Sequence, residues 1–420
     1  MRKSHGTTVG AALAALTVTA LAALPAQAAH KDLVDVYAKA ETPAVFDDEA
    51  GGNASADDPA IWRNPRNPDR SLVVATAKEG GLRVYDLDAR EVQSIPAAPA
   101  PGPDDAPGRI NNVDIVGDYA VVSDRGFDTL RIYRIDPNRA SGPLKEVTDP
   151  AAAPRIFSAN QAEVNAETTA YGLAAWRDRA SGRIFAAATQ AGRATLALLE
   201  LTPTRSGNVG YAKVRTLQLP SEFPLPGGTT WTPCEDPGEE PQAEGMVADP
   251  AAGVLYVGQE DVGVWRLKTD FTGRPKLIDK VHDFGVAYTQ DPETGECTFG
   301  ADPGYGGKVL TADVEGLTIM YQRNGQGYLL VSSQGDNTFA VYGRHDNKYK
   351  GGFRVAPGSV IDGAEDCDGA AVLNEPLGDR YPNGLLVVHD GYDDPQVDGR
   401  EGSNYKFLDL REVTTAVGLR

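Results

Sequence analysis

The chain has 420 residues, 59 acids against 40 Lys and Arg, and a formal net charge of −19, which speaks against nucleic acid or an anionic membrane as partner. An anionic ligand could be held only through bound cations or a local basic patch. Beyond the first 28 residues no apolar stretch is long enough for a membrane-spanning helix.

Residues 1–28 read as a signal peptide: Arg2 and Lys3, an Ala/Leu/Val run, then Ala26-Gln27-Ala28 before Ala29. Its removal takes away two positive charges and no acid, moving −19 to −21, and predicts a secreted, extracellular protein. Residues 29–55 form a lead that either adds a closing strand to the last repeat or runs free. From Ala56 a three-part phrase recurs six times. The openings are Asp57-Asp58-Pro59-Ala60-Ile61-Trp62, Asn111-Asn112-Val113-Asp114-Ile115, Ala170-Tyr171-Gly172-Leu173, Ala243-Glu244-Gly245-Met246, Val314-Glu315-Gly316-Leu317 and Cys367-Asp368-Gly369-Ala370. A β-rich run follows each, near 72–76, 119–123, 184–189, 254–258, 328–332 and 385–388, then a polar turn and a third strand. Six tandem β-units without long helical patterns predict an all-β fold, a six-bladed β-propeller filling 56–420 as one domain.

Neighbouring strands of a blade run antiparallel. The start of the first strand and the end of the second therefore share one rim. Unit by unit that rim carries Asp57, Asp58 and Lys78; Asn112, Asp114 and Arg125; Tyr171 and Arg193; Glu244 and Glu260; Glu315 and Gln334; Asp362, Asp366, Asp368 and Asp390. Carboxylates this dense repel one another unless cations sit between them. The donors are almost all oxygen, with no His or Cys cluster, so the expected cofactor is Ca²⁺, several ions, with Mg²⁺ as competitor. The loop 362–369 alternates acids beside glycine in the manner of calcium loops.

Cys234 and Cys297 lie in Gly/Pro/acid-rich insertions, Leu225–Gln242 and Val286–Lys308. Three pairings are open to three cysteines; a staple between these two loops is expected, with Cys367 free.

These residues carry a resemblance. Asp57-Asp58-Pro-Ala-Ile-Trp, Lys78, Asn111-Asn112-Val113-Asp114-Ile115, Glu244-Gly-Met, Glu260-Asp261, Asp313-Val-Glu315-Gly-Leu-Thr-Ile, the run 327–335 and the Asp-Gly-rich loop 362–369 together resemble the β-propeller phytases. The likeness is to secreted bacterial, calcium-dependent, 3-phytase-like members and spans about Ala56 to Phe407. It implies hydrolysis of phytate (myo-inositol hexakisphosphate) or calcium-phytate by metal-activated water. By motif, Lys78, Arg125 and Tyr171 match the family's substrate-gripping and cleavage-site residues. Glu244, Glu260, Asp313 and Glu315 match its catalytic calcium ring. Asp57, Asp58, Asp362 and Asp368, with Asp390 and Asn112 beside them, complete the expected metal ligands. The chain departs from the family at Lys78-Glu79, where a second lysine is usual, and at Gln190-Ala191-Gly192-Arg193, where Arg193 stands for a lysine. The two cysteine-bearing insertions are additional.

No histidine-acid or cysteine phosphatase motif is present: His345 follows Arg344 without the Gly-x-Arg-x-Pro continuation. A monomer is expected. The alternatives are a calcium-stabilised propeller that only binds a partner, since fold does not fix function, and a lactonase-like propeller with His and Asn ligands.

Overall fold

The computed structural model describes residues 33–419; the signal-peptide reading of 1–28 lies outside them. Six antiparallel sheets radiate as blades, each beginning at the central channel. Blade one is Pro59–Trp62, Leu72–Thr76, Leu82–Tyr85 and Glu91–Ile95; blade two is Ile110–Val116, Tyr119–Asp124, Thr129–Ile135 and Leu144–Glu146. Blade three is Ala170–Arg177, Ile184–Gln190, Thr195–Pro203 and Val209–Gln218; blade four is Ala243–Asp249, Val254–Gln259, Gly263–Lys268 and Lys276–Lys280. Blade five is Val314–Tyr321, Gly327–Ser333, Thr338–Gly343 and Tyr349–Val355, and blade six Ala370–Leu373, Leu385–Asp390 and Gly402–Asp409.

The core lies between blades. Side chains of a strand alternate in direction. In blade one, Leu72 and Val74 pack toward Val113 and Val122 of blade two, while Val73 and Ala75 pack toward Leu385 and Val387 of blade six. Both faces are therefore apolar, which is why second strands such as Leu-Val-Val-Ala-Thr read as unbroken runs and are buried throughout. Fourth strands such as Glu91–Ile95 and Lys276–Lys280 have partly exposed, polar sequences. They are formed by pairing with a neighbour rather than by burial, so the repeat did not announce them.

Blade six takes its outer strand from the N-terminal lead: Ala40–Glu41 and Val45–Phe46 pair antiparallel with Gly402–Asp409. Leu33–Val36 adds a parallel strand to blade five. The helix Leu410–Val417, capped by the Asp409 side chain and ended by left-handed Gly418, buries Leu410 and Val413 against blades five and six.

The insertions form two small hairpins, Phe223–Pro224 with Thr230–Trp231 and Tyr288–Gln290 with Cys297–Phe299. Cys234 and Cys297 are disulfide-bonded and Cys367 is a buried free thiol.

Candidate active site

In blades two to five the first strand slips register between Ile110 and Val113, Ala170 and Leu173, Ala243 and Met246, and Val314 and Leu317. Each slip is a bulge, and bulges re-aim side chains. They send Asn111, Tyr171, Glu244 and Glu315 into the channel mouth, where Asp57 and Asp368 take the equivalent places in blades one and six. The result is a ring of six, one residue per blade, around a cavity of about 240 Å³.

In blades three to six the next position is Gly172, Gly245, Gly316 and Gly369. A Cβ at Gly316 would lie 2.5 Å from Asp368 O, and one at Gly369 2.7 Å from Asp57 O; at Gly172 and Gly245 it would run into the Glu244 and Glu315 carbonyls. Rim segments of successive blades thus touch backbone to backbone, with Gly316 N donating to Asp368 O at 2.6 Å. Hydroxyls strap the same seam: Thr76 Oγ1 donates to Asn111 O and Ser123 Oγ to Tyr171 O, both at 2.6 Å.

Just beyond the second strands comes a second layer: Arg125, Glu260 and Gln334 one residue after the strand end, and Lys78 two after it. Lys78 turns sharply, with a left-handed φ of 46°, and its Nζ stands 3.8 Å from Asp57 Oδ2 and 3.6 Å from Asp368 Oδ2. The Arg125 guanidinium lies 4.7 Å over the Tyr171 ring. Among the described residues no carboxylate comes within ion-pair distance of it.

Glu244, Glu260 and Glu315 are each at least 94% buried, and one carboxylate oxygen from each lies within 4.8 Å of the others. Burial first pushes all three carboxyls above the usual range, then repulsion from neighbouring carboxylates: Asp368 acts on Glu244, and Glu244 on both Glu260 and Glu315. Glu244 is partly relieved by Tyr171, Lys78 and Arg125. Burial lifts Asp368 to about 6, and lifts Asp261 to about 7 with help from Asp313. Asn111 Nδ2 donates to Glu244 Oε1 at 2.6 Å and Gln242 Nε2 to Glu260 Oε2 at 2.8 Å. Glu260 Oε1 and Asp57 Oδ1 are buried with no hydrogen-bond partner. Convergent buried carboxylates, spare oxygens and no imidazole or thiolate donor fit a hard divalent cation such as calcium.

The structure redistributes several expected residues. Asn112 is one residue out of register. Its Oδ1 accepts from Asn111 Nδ2 at 2.9 Å and its backbone N donates to Ser123 Oγ at 3.0 Å, so it braces the ring. Asp58 faces a separate, deeper cavity of about 130 Å³ in the channel, its Oδ2 accepting from Val113 N at 2.9 Å. Asp313 lines the mouth as expected from the acidic ring. Arg193 is not among the mouth's lining residues; its guanidinium donates to Gly192 O and to Gly238 O of the insertion. Asp362 and Asp390 gather instead around Lys406, away from the mouth. Gln242 was missed by sequence reasoning. It sits one before Ala243 as Asp313 sits one before Val314, so aligning the repeats would have found it.

A family model described as Phytase matches residues 4–224 and 238–419; the break falls in the first cysteine-bearing insertion. A 3-phytase of Bacillus subtilis (strain 168) is 32% identical over 425 residues, covering 98% of this chain and 92% of that protein. Among solved structures, a periplasmic gluconolactonase of Pseudomonas aeruginosa is similar at a TM-score of 0.36 and 16% identity, covering 66% of this chain and 65% of its own. A protein of Lactobacillus plantarum is similar at a TM-score of 0.37 and 14% identity, covering 69% of each chain. Likeness at that level carries no argument. The match with the Phytase model over nearly the whole chain, and the identity to the Bacillus protein, settle the assignment: the chain belongs to the phytase family.

Proposed function

We propose that this chain removes phosphate from phytate, presented as its calcium salt, with calcium ions held at the channel mouth. The observation that carries the reading is the buried trio Glu244, Glu260 and Glu315 facing Lys78 and Arg125 across one cavity. Asp57, Asp313 and Asp368 complete that oxygen-donor set, and Asp58 belongs to a separate cation position in the channel. When bound, calcium would neutralise charge on the phosphoryl oxygens and make a neighbouring water more acidic.

The chain's own residues do the rest. Arg125, propped on Tyr171, offers forked donors to a phosphoryl group, and Lys78 offers a point charge. Such positioning and charge stabilisation dominate phosphoryl transfer. Asn111 and Gln242 orient Glu244 and Glu260, each holding one oxygen, and Glu260 Oε1 is left buried without a partner. None of the twelve residues lining the mouth is Ser, Thr, His or Cys, and burial keeps the Tyr171 phenol protonated. With the mouth's carboxylates assigned to cations, the attack on phosphorus falls directly to water: its oxygen forms the new P–O bond, the ester P–O bond breaks, and the inositol oxygen leaves with a proton. An acidic mouth would repel bare phytate, so the substrate arrives with cations. Secretion is supported by the Arg2-Lys3 leader and the Cys234–Cys297 bridge.

The test is inorganic phosphate release from phytate before chelation, after it, and after calcium is returned. Loss and recovery are expected. Undiminished release in chelator removes the calcium reading, and no release in any state removes the substrate reading.

A further inference from the structure

Lys406 sits in Gly402–Asp409, the third strand of blade six, and is wholly buried. Its neighbours in sequence, Tyr405 and Phe407, pack toward blade one, so Lys406 points to the other face of the strand. There its Nζ stands 2.7 Å from Glu41 Oε2, 3.0 Å from Asp390 Oδ2, and in direct contact with Asp362 Oδ1. Asp393 closes the group: oxygens of Glu41, Asp362 and Asp393 lie within 4.8 Å of one another.

Sequence reasoning placed a metal on Asp362 and Asp390. We infer instead that this acid pocket takes no metal ion, because the ammonium of Lys406 is its resident cation. The ammonium donates to Glu41 Oε2 and Asp362 Oδ1 and is ion-paired with Asp390 Oδ2. The remaining oxygens are largely taken by the protein itself. Asp362 Oδ2 accepts from Asp394 N at 2.8 Å, Asp390 Oδ1 from Glu365 N at 3.0 Å and Asp393 Oδ1 from Asn404 Nδ2 at 2.7 Å. Asp390 Oδ2 and the Asn404 amide oxygen are buried without a hydrogen bond, but Asp390 Oδ2 lies 3.0 Å from the ammonium, whose charge it balances. Calcium needs about six to eight oxygens and would share them with a positive charge about 3 Å away. The mouth differs on both counts, since Glu260 Oε1 is unclaimed and Lys78 stands off at 3.6–3.8 Å from its acids.

The reason Asp390 belongs here lies in the two-residue period of a strand. Asp390 pairs with Asn404 and precedes by one the position that holds Arg125 in blade two, which here is Gly391. Its side chain turns away from the mouth. Lys406 thereby ties the N-terminal lead through Glu41, the loop after blade five through Asp362, and the second strand of blade six through Asp390. The ring is shut by a lysine where a metal was expected, so calcium removal should disarm the mouth without opening the propeller.

Counting bound calcium tests this without reference to activity. Calcium per chain is measured at fixed free calcium for the wild-type protein, Asp393→Asn and Lys406→Met, with the thermal midpoint followed in parallel. Wild type and Asp393→Asn should bind the same number of ions with the same affinity. Lys406→Met should bind one more and gain a calcium-dependent rise in midpoint that is absent at this pocket in wild type. The inference is overturned if Asp393→Asn loses an ion or weakens one at least tenfold, or if folded Lys406→Met binds no extra ion. Should Lys406→Met fail to fold, the comparison of wild type with Asp393→Asn decides alone.

Discussion

Replacing Gly316 by alanine probes the seam on which the mouth is built. Gly316 does not lie in the left-handed region, so space rather than backbone strain is at issue. Its added Cβ would lie 2.5 Å from Asp368 O, 2.7 Å from Ala370 N and 2.9 Å from Gly369 C, all backbone atoms that no rotamer change can move. Restoring ordinary contact requires the rims of blades five and six to part by about 0.5–0.9 Å in an interior with little slack. Overpacking of this kind costs about 1–3 kcal/mol, and stretching the 2.6 Å bond from Gly316 N to Asp368 O adds about 1 kcal/mol. The thermal midpoint should therefore fall by several degrees. Gly316 also joins Glu315 to Asp368 across the seam, so both carboxylates shift. A displacement of about 1 Å in a catalytic arrangement costs about 100-fold in turnover. The assay pairs thermal melting with phosphate release from phytate over a range of free calcium. Gly358→Ala, whose Cβ would meet only Ile361 O at 3.3 Å, is the control. Wild-type turnover and calcium half-saturation in Gly316→Ala would refute the claim that backbone contact between blades sets the ring.

Other outcomes follow from the same geometry. Arg125→Ala should lower turnover by about 10²–10³-fold while costing only about 0.5–1 kcal/mol of stability, the worth of its contact with Tyr171; normal turnover would contradict its role. Lys78→Ala should also destabilise the metal-free protein, by on the order of 2–4 kcal/mol, because Asp57 and Asp368 lose their shared cation; an unchanged melting curve in chelator would contradict that. Glu244, Glu260, Glu315 and Asp57 are held above the ordinary carboxylate range by burial and then by neighbouring carboxylates, with Asp368 at about 6. The folded metal-free chain therefore binds more protons than the unfolded one, so its stability should rise as pH falls from 8 toward the ordinary carboxylate value of about 4. Calcium should reverse that slope, and melting scans across pH with and without chelator would show both. Cys234→Ser with Cys297→Ser should lower stability by about 2–4 kcal/mol with turnover largely kept, since neither cysteine lines the mouth.

The blades were legible because both faces of the second strands are buried, leaving apolar runs at regular spacing. The ring was legible where a carboxylate precedes glycine, as in Glu244-Gly245, Glu315-Gly316 and Asp368-Gly369. In blade two the glycine is replaced by Asn112, the motif offers two asparagines, and the bulge decides between them in favour of Asn111. Register is a property of the paired strands, and a slip of one turns the side chain over. Asp390 escaped for the same reason: it looks like the rim residue of blade six but lies one short of it. Lys406 carries no local mark of being the partner of Glu41, which is 365 residues distant in sequence. Arg193 looked like a substrate cation because the insertion that engages it, through Gly238, comes from 45 residues further on.

The central claim is that carboxylates at the channel mouth hold the calcium that makes phytate hydrolysis possible. The most direct measurement is phosphate release from phytate at buffered free calcium for the wild-type protein and Glu260→Gln. Wild-type release should rise saturably from near zero, and Glu260→Gln should need at least tenfold more calcium to reach half of its own maximum. Equal release in both proteins after exhaustive chelation would contradict the account.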